Sequence, residues 1–404
     1  MIFGDPHENC KMPSPRLAYS AVQNAETLII GGGVVGASVA YHLAERGAKD
    51  VLILEREAEQ GRGSTGAATG GVRAQFETEI NIRMSVYSID FFEKWDHDCG
   101  YEPRGYLFFA TEPEHFAYLK RNVERQRSLG VKGVEAVGPE AIREMIPGMN
   151  CSDILGGSFG RQDGFIDPLA VMRGFTERAL DGGARLETGT RVLRILTNNG
   201  RVTGVETETG RIECGRVVVC TGAWAAELAA TAGISLPVEP LRRQIVWARS
   251  PEPLPPGLPM VIDLGTGFHF RPAKNSEHEL MFAYPDPNER PSFSRELDDA
   301  FVEKIRERAR HRAPWLYETE VVREKCRVGL YENTPDHHAI LGGCEVEGLD
   351  FANGFSGHGV MHSPATGRAL AEIILDGKAS FLDVSMLSLD RFARGELLHE
   401  TAFI

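Results

Sequence analysis

Apolar and polar residues alternate along the chain in a way that predicts short buried strands and amphipathic helices. Continuous apolar runs at 27–30 and 51–54 are typical of buried parallel strands, and a helix-period pattern at 34–46 lies between them. Further helices are predicted at 79–95, 112–128, 139–145, 168–180, 297–311 (as an exposed helix) and 364–375. Further strands are predicted at 106–110, 156–159, 184–187, 191–196, 202–207, 216–220, 244–248, 268–271, 280–284 and 327–331. The pattern predicts an α/β fold with an additional, antiparallel part.

The first strand, helix and strand carry the features of a dinucleotide site. Gly31 and Gly33 allow a tight turn and the close approach of a pyrophosphate, and Gly36 lets the helix pack near the strand. The helix directs its N-terminal N–H groups at the phosphates. Glu55 follows the second strand, at the spacing of an acid that accepts hydrogen bonds from the adenosine ribose. This acid disfavours a 2′-phosphate and therefore NADP.

A second glycine-rich segment, at 353–359, precedes the predicted C-terminal helix. A packing role alone does not easily explain it. The two glycine-rich segments fit one ligand and together indicate a flavoprotein.

Composition limits the class of protein further. The chain has 404 residues, which suits two domains, and a net charge of −13, which argues against nucleic acid or an anionic membrane as a partner. Its seven cysteines are scattered and without CxxC pairs, which favours reduced thiols in a cytoplasmic protein. No secretory signal or transmembrane segment is visible in the pattern, and residues 1–25 read as an irregular extension.

Six motifs in a fixed order resemble those of one family. They are GGGVVG with Glu55, GSTG with GGVRAQF (63–76), DGxxDP (163–168), TGAW (221–224), GLYxxTPD (329–336) and GFSGHG (354–359). In this order they resemble the FAD-dependent amine and amino-acid oxidoreductases of the D-amino-acid-oxidase superfamily. The similarity is greatest to the branch of sarcosine oxidase, sarcosine/dimethylglycine dehydrogenase and the proline dehydrogenase β-subunit.

The resemblance implies two domains. A Rossmann-type FAD-binding domain is built from the discontinuous segments 26–103, 152–238 and 326–385. A substrate-binding domain, with a mixed or antiparallel sheet flanked by helices, comprises 104–151 and 239–325. Residues 386–404 are expected to form a C-terminal tail.

The resemblance also implies the FAD contacts. The ADP part and phosphates are expected at the first glycine motif and the early loop, the adenine side at the TGAW motif, and the flavin ring at the second glycine-rich segment, whose helix N-terminus would stabilise the charge of reduced flavin. The expected residues are Gly31, Gly33, Val34, Val35, Gly36, Glu55, Arg56, Gly63, Ser64, Thr65, Gly70, Gly71, Val192, Thr221, Gly222, Trp224, Gly329, Gly354, Ser356, Gly357, His358, Gly359, Val360 and Met361.

Four positions depart from the family pattern. Gly329 stands where relatives attach flavin to cysteine, and Ala67 stands about where others attach it to histidine, so we expect non-covalent FAD. Met361 replaces a lysine that helps to hold the substrate carboxylate in oxidases. His269 aligns with a lysine that assists oxygen reduction. The missing charges predict a dehydrogenase more than a fast oxidase.

Four residues are candidates for the catalytic site. Arg73 follows two glycines and either pairs with a substrate carboxylate or ties its loop to the second domain. Tyr331 either walls the substrate pocket or packs on its strand. His269 alternates with two phenylalanines and faces either the cavity, as a base or polar element, or solvent. His358 is expected to shape the loop beside the flavin.

Structural roles, not catalytic ones, are predicted for the other arginines and histidines. One of the arginines at 242, 243 and 271 could face an anionic substrate, although surface salt bridges are the commoner outcome. The histidine pair at 337–338 reads as a solvated turn. His358 and His362 are four residues apart, but no third ligand is evident, so no metal site is expected.

The expected reaction is oxidation of the C–N bond of a secondary or tertiary amino acid, N-alkyl or cyclic, by hydride transfer to flavin. The expected partners are an amino-acid-like small molecule, an unnamed electron acceptor, and a partner subunit or a second copy of the chain. Two alternatives remain: a 2-hydroxy acid dehydrogenase, which would need His269 or His358 as base, and a low-turnover flavoprotein that acts as a partner or assembly subunit.

Overall fold

Strand β1 (Gln23–Ile30) is the centre of a mainly parallel sheet in the computed structural model, which describes residues 23–401. Across the sheet the strands lie in the order β18-β19-β11-β1-β2-β8, and β10 and β9 extend β11 as antiparallel neighbours. These strands are β2 (Val51–Leu54), β8 (Arg185–Glu187), β9 (Val192–Asn198), β10 (Arg201–Thr207), β11 (Gly210–Val219), β18 (Ile340–Gly343) and β19 (Leu349–Asn353).

A second sheet has the order β16-β12-β15-β14-β13-β4-β6-β5, with β17 also paired to β12. All its pairings are antiparallel except the parallel pair β13–β4. Its strands are β4 (Tyr106–Ala110), β5 (Val134–Val137), β6 (Gly156–Gly160), β12 (Glu239–Arg249), β13 (Met260–Asp263), β14 (His269–Pro272), β15 (Glu279–Ala283), β16 (Glu320–Val321) and β17 (Arg327–Asn333). Strands β3 (Gly71–Val72) and β7 (Gly164–Phe165) form a separate pair.

The helices pack on these sheets through their apolar faces. They are α1 (Val34–Glu45), α2 (Ser64–Ala67), α3 (Glu79–Lys94), α4 (Pro113–Ser128), α5 (Pro139–Met145), α6 (Pro168–Asp181), α7 (Ala225–Ala230), α8 (Asp299–Arg312), α9 (Pro314–Tyr317), α10 (Gly359–Asp376) and α11 (Arg391–Arg394). Helix α6 begins as predicted, because the carboxylate of Asp167 accepts hydrogen bonds from the N–H groups of Leu169 and Ala170, each at 3.0 Å.

The parallel sheet is buried on both faces. Leu28 and Ile30 of β1 pack in one apolar cluster, and Ile29 between them packs in the cluster on the opposite face. Strand β1 is paired in parallel with β2 on one side and with β11 on the other. A strand buried in this way must be apolar at every position, which explains the continuous runs of the sequence. The prediction of a mixed α/β fold is confirmed.

Helix α10 begins at Gly359, five residues earlier than the pattern predicts. Pro364 lies within the helix, although proline lacks the N–H that would bond the carbonyl four residues before it. The hydroxyl of Ser363 instead donates a hydrogen bond of 2.8 Å to that carbonyl, at Val360. The helix therefore tolerates its proline, and its first turn includes part of the second glycine-rich segment.

Helix α8 differs from the prediction of an exposed helix. Its residues Phe301, Val302 and Ile305 are at most 3% exposed and pack in the core of the second sheet. Its other charged residues, apart from the buried Arg312, are exposed or partly exposed, so the low overall hydropathy conceals an amphipathic helix.

The segment after α10 returns to the glycine-rich region. Arg391 is 1% exposed and pairs with Asp336, which follows β17. Near the end of the described chain, the carboxylate of Glu400 accepts hydrogen bonds from the N–H groups of Glu77 and Thr78, just before α3. Residues 386–401 are thus tied to two segments that flank the candidate site.

Candidate active site

A cavity of about 400 Å³ lies between the two sheets. The C-terminal ends of the parallel strands open into it from one side, and strands β12, β13, β14 and β17 of the second sheet close it on the other. The edge of a parallel sheet at the carboxyl ends of its strands is where such folds bind ligands, and this volume is within the range of ligand sites.

Most of the predicted cofactor residues line this cavity. They are Gly31, Gly33, Val34, Val35, Glu55, Arg56, Gly63, Ser64, Thr65, Gly70, Gly71, Val192, Thr221, Gly222, Trp224, Gly329, Gly357, His358, Gly359, Val360 and Met361. Gly36, Gly354 and Ser356 are not among its lining residues. A Cβ at Gly36 would lie 2.0 Å from the carbonyl oxygen of Gly31, and Ser356 is fully buried. These three residues therefore shape the backbone behind the cavity.

One end of the cavity is built by the first glycine motif and Glu55. The carboxylate of Glu55 accepts hydrogen bonds from the N–H groups of Gly32 (2.9 Å) and Glu57 (3.0 Å). Gly31 has a φ of 105°, and a Cβ there would lie 2.4 Å from the carbonyl oxygen of Cys220. Only glycine fits this position, which keeps the turn close to both neighbouring strands.

The early loop is tied to its surroundings by two hydroxyl groups. The Ser64 hydroxyl donates to the carbonyl of Leu330 at 2.7 Å, and the Thr65 hydroxyl accepts from the N–H of Val34 at 3.1 Å. Helix α1 has Gly33 at its N-cap and no acidic residue in its first turn. Its N-terminus therefore presents a positive dipole end to the cavity, and the Glu55 carboxylate lies beside it on the N–H of Gly32.

At the opposite end, the second glycine-rich segment contacts strand β17. Gly357 has a φ of 98°, and a Cβ there would lie 2.5 Å from the ring of Tyr331. The first turn of α10 follows directly, with Gly359, Val360 and Met361 lining the cavity. The dipole of α10 thus adds a second positive helix end to the same cavity.

Arg73 lies at this end, is 3% exposed, and is held by its neighbours. It donates a hydrogen bond to the carbonyl of Gln75, and its guanidinium stands 3.8 Å from the ring centroid of Phe76. Its Nη2 lies 3.4 Å from Nε2 of His358. Burial lowers the pKa of Arg73, but the group remains a cation at neutral pH.

Two candidate histidines also line the cavity. His269 faces it, while Phe268 and Phe270 on either side pack in the core of the second sheet. Nδ1 of His269 lies 2.8 Å from the carbonyl oxygen of Gly267. Burial, with a smaller effect of the nearby arginines, lowers the pKa of His269, and burial together with Arg73 lowers the pKa of His358 well below its ordinary value. Both rings are therefore neutral near pH 7.

The two positions at which relatives attach flavin lie next to each other. A Cβ on Gly329 would lie 3.0 Å from Cβ of Ala67, and both residues line the cavity. Neither carries a nucleophile. Cys326 lies outside the cavity lining, with its sulfur 3.4 Å from the N–H of Trp247.

Among the lining residues that the sequence did not indicate are Tyr106 and Glu332, and of the three arginines at 242, 243 and 271 it is Arg243 that lines the cavity. Burial raises the pKa of Glu332 to about 7, although Asn353 and the N–H groups of Gly354 and Phe355 donate hydrogen bonds to its carboxyl. Successive residues of a strand point to opposite faces of the sheet, so the strand period does not predict that Tyr331 and Glu332 of β17 both line one cavity.

Arg242, Arg271 and the histidine pair at 337–338 contact other protein groups. Arg242 pairs with Glu289 at 3.1 Å, and Arg271 bonds the carbonyls of Thr69 and Pro272. The prediction of a solvated turn at 337–338 is wrong for His338, which is 1% exposed and lies 3.1 Å from the Thr78 hydroxyl.

Within residues 23–401 no group of three or more histidine, cysteine, aspartate or glutamate side chains has the arrangement of a metal site. In the same part of the chain, no helix combines the length and apolar character needed to cross a membrane.

The donor set of the cavity fits FAD. The N-terminus of α1 and the Glu55 carboxylate lie at one end of the cavity, and the N-terminus of α10 lies at the other end, beside Arg73 and Tyr331. The hydroxyl oxygen of Thr221, a lining residue, is buried without a hydrogen-bond partner in the described chain, as expected where a ligand supplies one.

Comparisons with known proteins agree with this assignment. A family model described as "FAD dependent oxidoreductase" (DAO) matches residues 26–373. FAD-dependent oxidoreductase domain-containing protein 1 of Xenopus laevis is 33% identical, over 94% of this chain and 84% of its own. Human mitochondrial dimethylglycine dehydrogenase is 30% identical, over 92% of this chain and 44% of its own.

The solved structure of L-proline dehydrogenase from P. horikoshii superimposes with a TM-score of 0.86 and is 32% identical, covering 94% of this chain and 100% of that one. These relatives agree with the branch that the motifs indicated. The chain belongs to the DAO family of FAD-dependent oxidoreductases, and its cofactor is FAD.

Proposed function

We propose that the protein oxidises the C–N bond of a secondary or tertiary amino acid, and that it acts as a dehydrogenase. The observation that carries the proposal is the buried cation Arg73, which lines the cavity together with Tyr331 and the neutral rings of two histidines. A cation of this kind suits a substrate carboxylate. The names of two relatives, L-proline dehydrogenase and dimethylglycine dehydrogenase, support a cyclic or N-alkyl amino acid.

Binding and orientation of the substrate are assigned to Arg73 and Tyr331. Arg73 is fixed by the Gln75 carbonyl and by its packing on Phe76, so little side-chain entropy is lost when it pairs with a carboxylate. Burial raises the pKa of Tyr331, so its hydroxyl keeps its proton and can donate a hydrogen bond. The two groups would hold the substrate by its acid end.

The amine must lose its proton before oxidation, and the charge of the cavity favours this loss. Arg73 and Arg243 both line the cavity, and positive charges nearby disfavour the ammonium form of a bound amine. The low pKa of His269 and of His358 makes both rings weak bases, which suits an amine better than a hydroxyl substrate. FAD, when bound, accepts the hydride, and water then hydrolyses the imine product.

Two further points belong to the proposal. FAD is held without a covalent bond, because Gly329 and Ala67 lack nucleophiles. The enzyme reacts slowly with oxygen, because His269 is neutral where a lysine would carry a charge and Met361 is apolar.

Reduction of the bound flavin by a panel of amino acids under anaerobic conditions tests the function. Proline, sarcosine, N-methylated amino acids, primary amino acids and 2-hydroxy acids should be compared at equal concentration. We expect bleaching of the flavin absorbance with secondary or tertiary amino acids. Reduction only by 2-hydroxy acids would favour the alternative dehydrogenase, and no reduction by any of them would favour a partner or assembly role.

A further inference from the structure

Arg242 and Arg243 are neighbours on β12 but have opposite surroundings. Successive side chains of a strand point to opposite faces. Arg242 forms a salt bridge of 3.1 Å with Glu289. Arg243, which pairs across the strands with Gly329, lines the cavity.

Arg243 is a partly buried cation with no carboxylate partner among the described residues. Its Nε is buried and has no hydrogen-bond partner in the described chain. Its Nη1 donates to the carbonyl of Arg242 at 3.3 Å, and its guanidinium stands 5.1 Å from the ring centroid of Tyr331. The described residues supply no salt bridge to it. A charge that is partly withdrawn from water, with one N–H left unsatisfied, is costly unless it is paired, so this geometry favours an anion from within the cavity.

The protein groups around Arg243 are engaged elsewhere or neutral. The carboxylates of Glu289 and Asp286 act on Arg243 electrostatically, but Glu289 pairs with Arg242 and Asp286 pairs with Lys304. The rings of His269 and Tyr331 are neutral near pH 7, as their shifted pKa values require. Glu332 lines the same cavity, but its carboxyl is turned to Asn353 Nδ2, 3.2 Å away, and to the N–H groups of Gly354 and Phe355. The Glu332 carboxyl is thus already engaged with other donors.

Arg73 and Arg243 approach this end of the cavity from different elements. Arg73 follows β3 and packs on Phe76, whereas Arg243 belongs to β12 and stands beside Tyr331. Both charges act on His269 and on Tyr331, which places the two cations around one space. A single carboxylate engaged by Arg73 would leave Nε of Arg243 without a partner.

We propose that Arg243 binds a second anionic group of the substrate, so that the preferred substrate is an N-alkyl amino acid with an additional carboxylate. The inference rests on the proposed function for the first carboxylate, which Arg73 binds. What it adds to the proposed function is that Arg73 and Arg243 together form a site for a substrate with two carboxylates.

Binding of unreactive ligands to the oxidised holoprotein tests the site without turnover. Succinate and butyrate have the same number of carbon atoms and differ by one carboxylate, and flavin absorbance reports their binding. We expect succinate to bind at least about tenfold more tightly than butyrate, since one charge-assisted contact is typically worth more than 1.4 kcal/mol. Arg243→Met should remove this preference and leave butyrate binding nearly unchanged.

Two other variants control the experiment. Arg243→Lys keeps the charge and should retain part of the preference. Arg249→Met removes an arginine of the same strand whose side chain is 57% exposed and pairs with Glu279 outside the cavity lining, and it should change neither affinity.

Three results would overturn the inference. Equal affinities for succinate and butyrate in the unmodified protein would exclude a dianion site. Equal weakening of both ligands by Arg243→Met would mean that Arg243 shares the carboxylate of Arg73. A changed flavin reduction potential with unchanged ligand preference would mean that Arg243 faces the flavin.

A comparison of N-methylaspartate with sarcosine separates this inference from the proposed function. Faster anaerobic flavin reduction by N-methylaspartate supports both. If neither amine reduces the flavin while succinate is still preferred, the proposed function fails and the dianion site stands.

Discussion

Asp336 and Arg391 form an ion pair from which water is excluded. Nε of Arg391 lies 2.8 Å from one carboxylate oxygen and Nη2 lies 2.9 Å from the other, and the two side chains are 0% and 1% exposed. The same guanidinium donates to the carbonyl of His338 at 2.9 Å. This contact fixes the turn after β17 against the last helix of the described chain, behind the cavity.

Arg391→Met should destabilise the protein, because it leaves a buried carboxylate without its partner. Loss of one member of a buried pair costs about 3–5 kcal/mol. The free energy of unfolding, measured by denaturant titration of the holoprotein, should fall by this amount. Arg394→Met removes an arginine of the same helix whose side chain is 49% exposed, and it should change stability little. Equal stability of the two variants would contradict the prediction.

The contribution of this pair should depend on pH. Burial raises the pKa of Asp336, but the hydrogen bonds and charge of Arg391 outweigh it, and the net pKa lies below its ordinary value. A depressed pKa stabilises the fold above the unfolded value of about 3.9, and this stability is lost as pH falls through the folded value. The titration of Asp336 should therefore leave the stability difference between the unmodified protein and Asp336→Asn constant from pH 5 to 8. Below about pH 4 the difference should shrink.

Arg73→Met should lower kcat/KM for an amino-acid substrate by roughly one to three orders of magnitude. Loss of a desolvated, charge-assisted pair costs about 2–5 kcal/mol, and each 1.36 kcal/mol is tenfold in rate. Steady-state kinetics with an artificial dye should show this loss, and FAD content should change little. A substrate analogue without the carboxylate should be much less affected. Equal losses for both substrates, or loss of FAD, would assign Arg73 a structural role.

Electron transfer from the substrate-reduced enzyme should be much faster to an artificial dye than to oxygen. The reason is the neutral ring of His269, at the position that the family resemblance aligns with a lysine of oxidases. Stopped-flow reoxidation measures both rates, and His269→Lys should raise the rate with oxygen. Comparable rates with air and dye in the unmodified protein would show that other cations of the cavity replace the lysine.

Acid precipitation should release the cofactor intact. Gly329 and Ala67 carry no group that could bond to flavin, so FAD should remain in the supernatant and the pellet should be colourless. Chromatography of the supernatant identifies the nucleotide. Flavin retained in the pellet would reveal an attachment site elsewhere in the chain.

Local patterns made the first part of the site predictable. The apolar runs, the glycines and Glu55 lie within one short stretch of sequence, and the contact of the Glu55 carboxylate with Gly32 N–H lies within that stretch. Strand period predicted that His269 faces away from Phe268 and Phe270 but left the cavity and solvent as alternatives, and the structure places the residue at the cavity.

Features that depend on distant contacts were not predictable in this way. Strand alternation predicts that Arg242 and Arg243 point to opposite faces of β12, but it does not predict which of the two faces the cavity. The structure shows Arg242 paired with Glu289, and Arg243 therefore lines the cavity. The burial of His338 depends on Thr78 and on Arg391, which come from remote parts of the chain. Proline usually marks a helix start or break because it lacks an N–H, so the sequence predicted that α10 begins at Pro364. The helix begins earlier because the Ser363 hydroxyl bonds the carbonyl that the proline leaves free.

The order of strands in the parallel sheet has a consequence for biosynthesis. Strand β11 lies between β1, from the beginning of the described chain, and β19, from near its end. A nascent chain therefore cannot complete the flavin cavity until β19 and α10 have left the ribosome, however early the first glycine motif folds. Full enclosure of FAD must therefore follow the synthesis of α10, and the first glycine motif alone cannot retain the cofactor in a closed cavity.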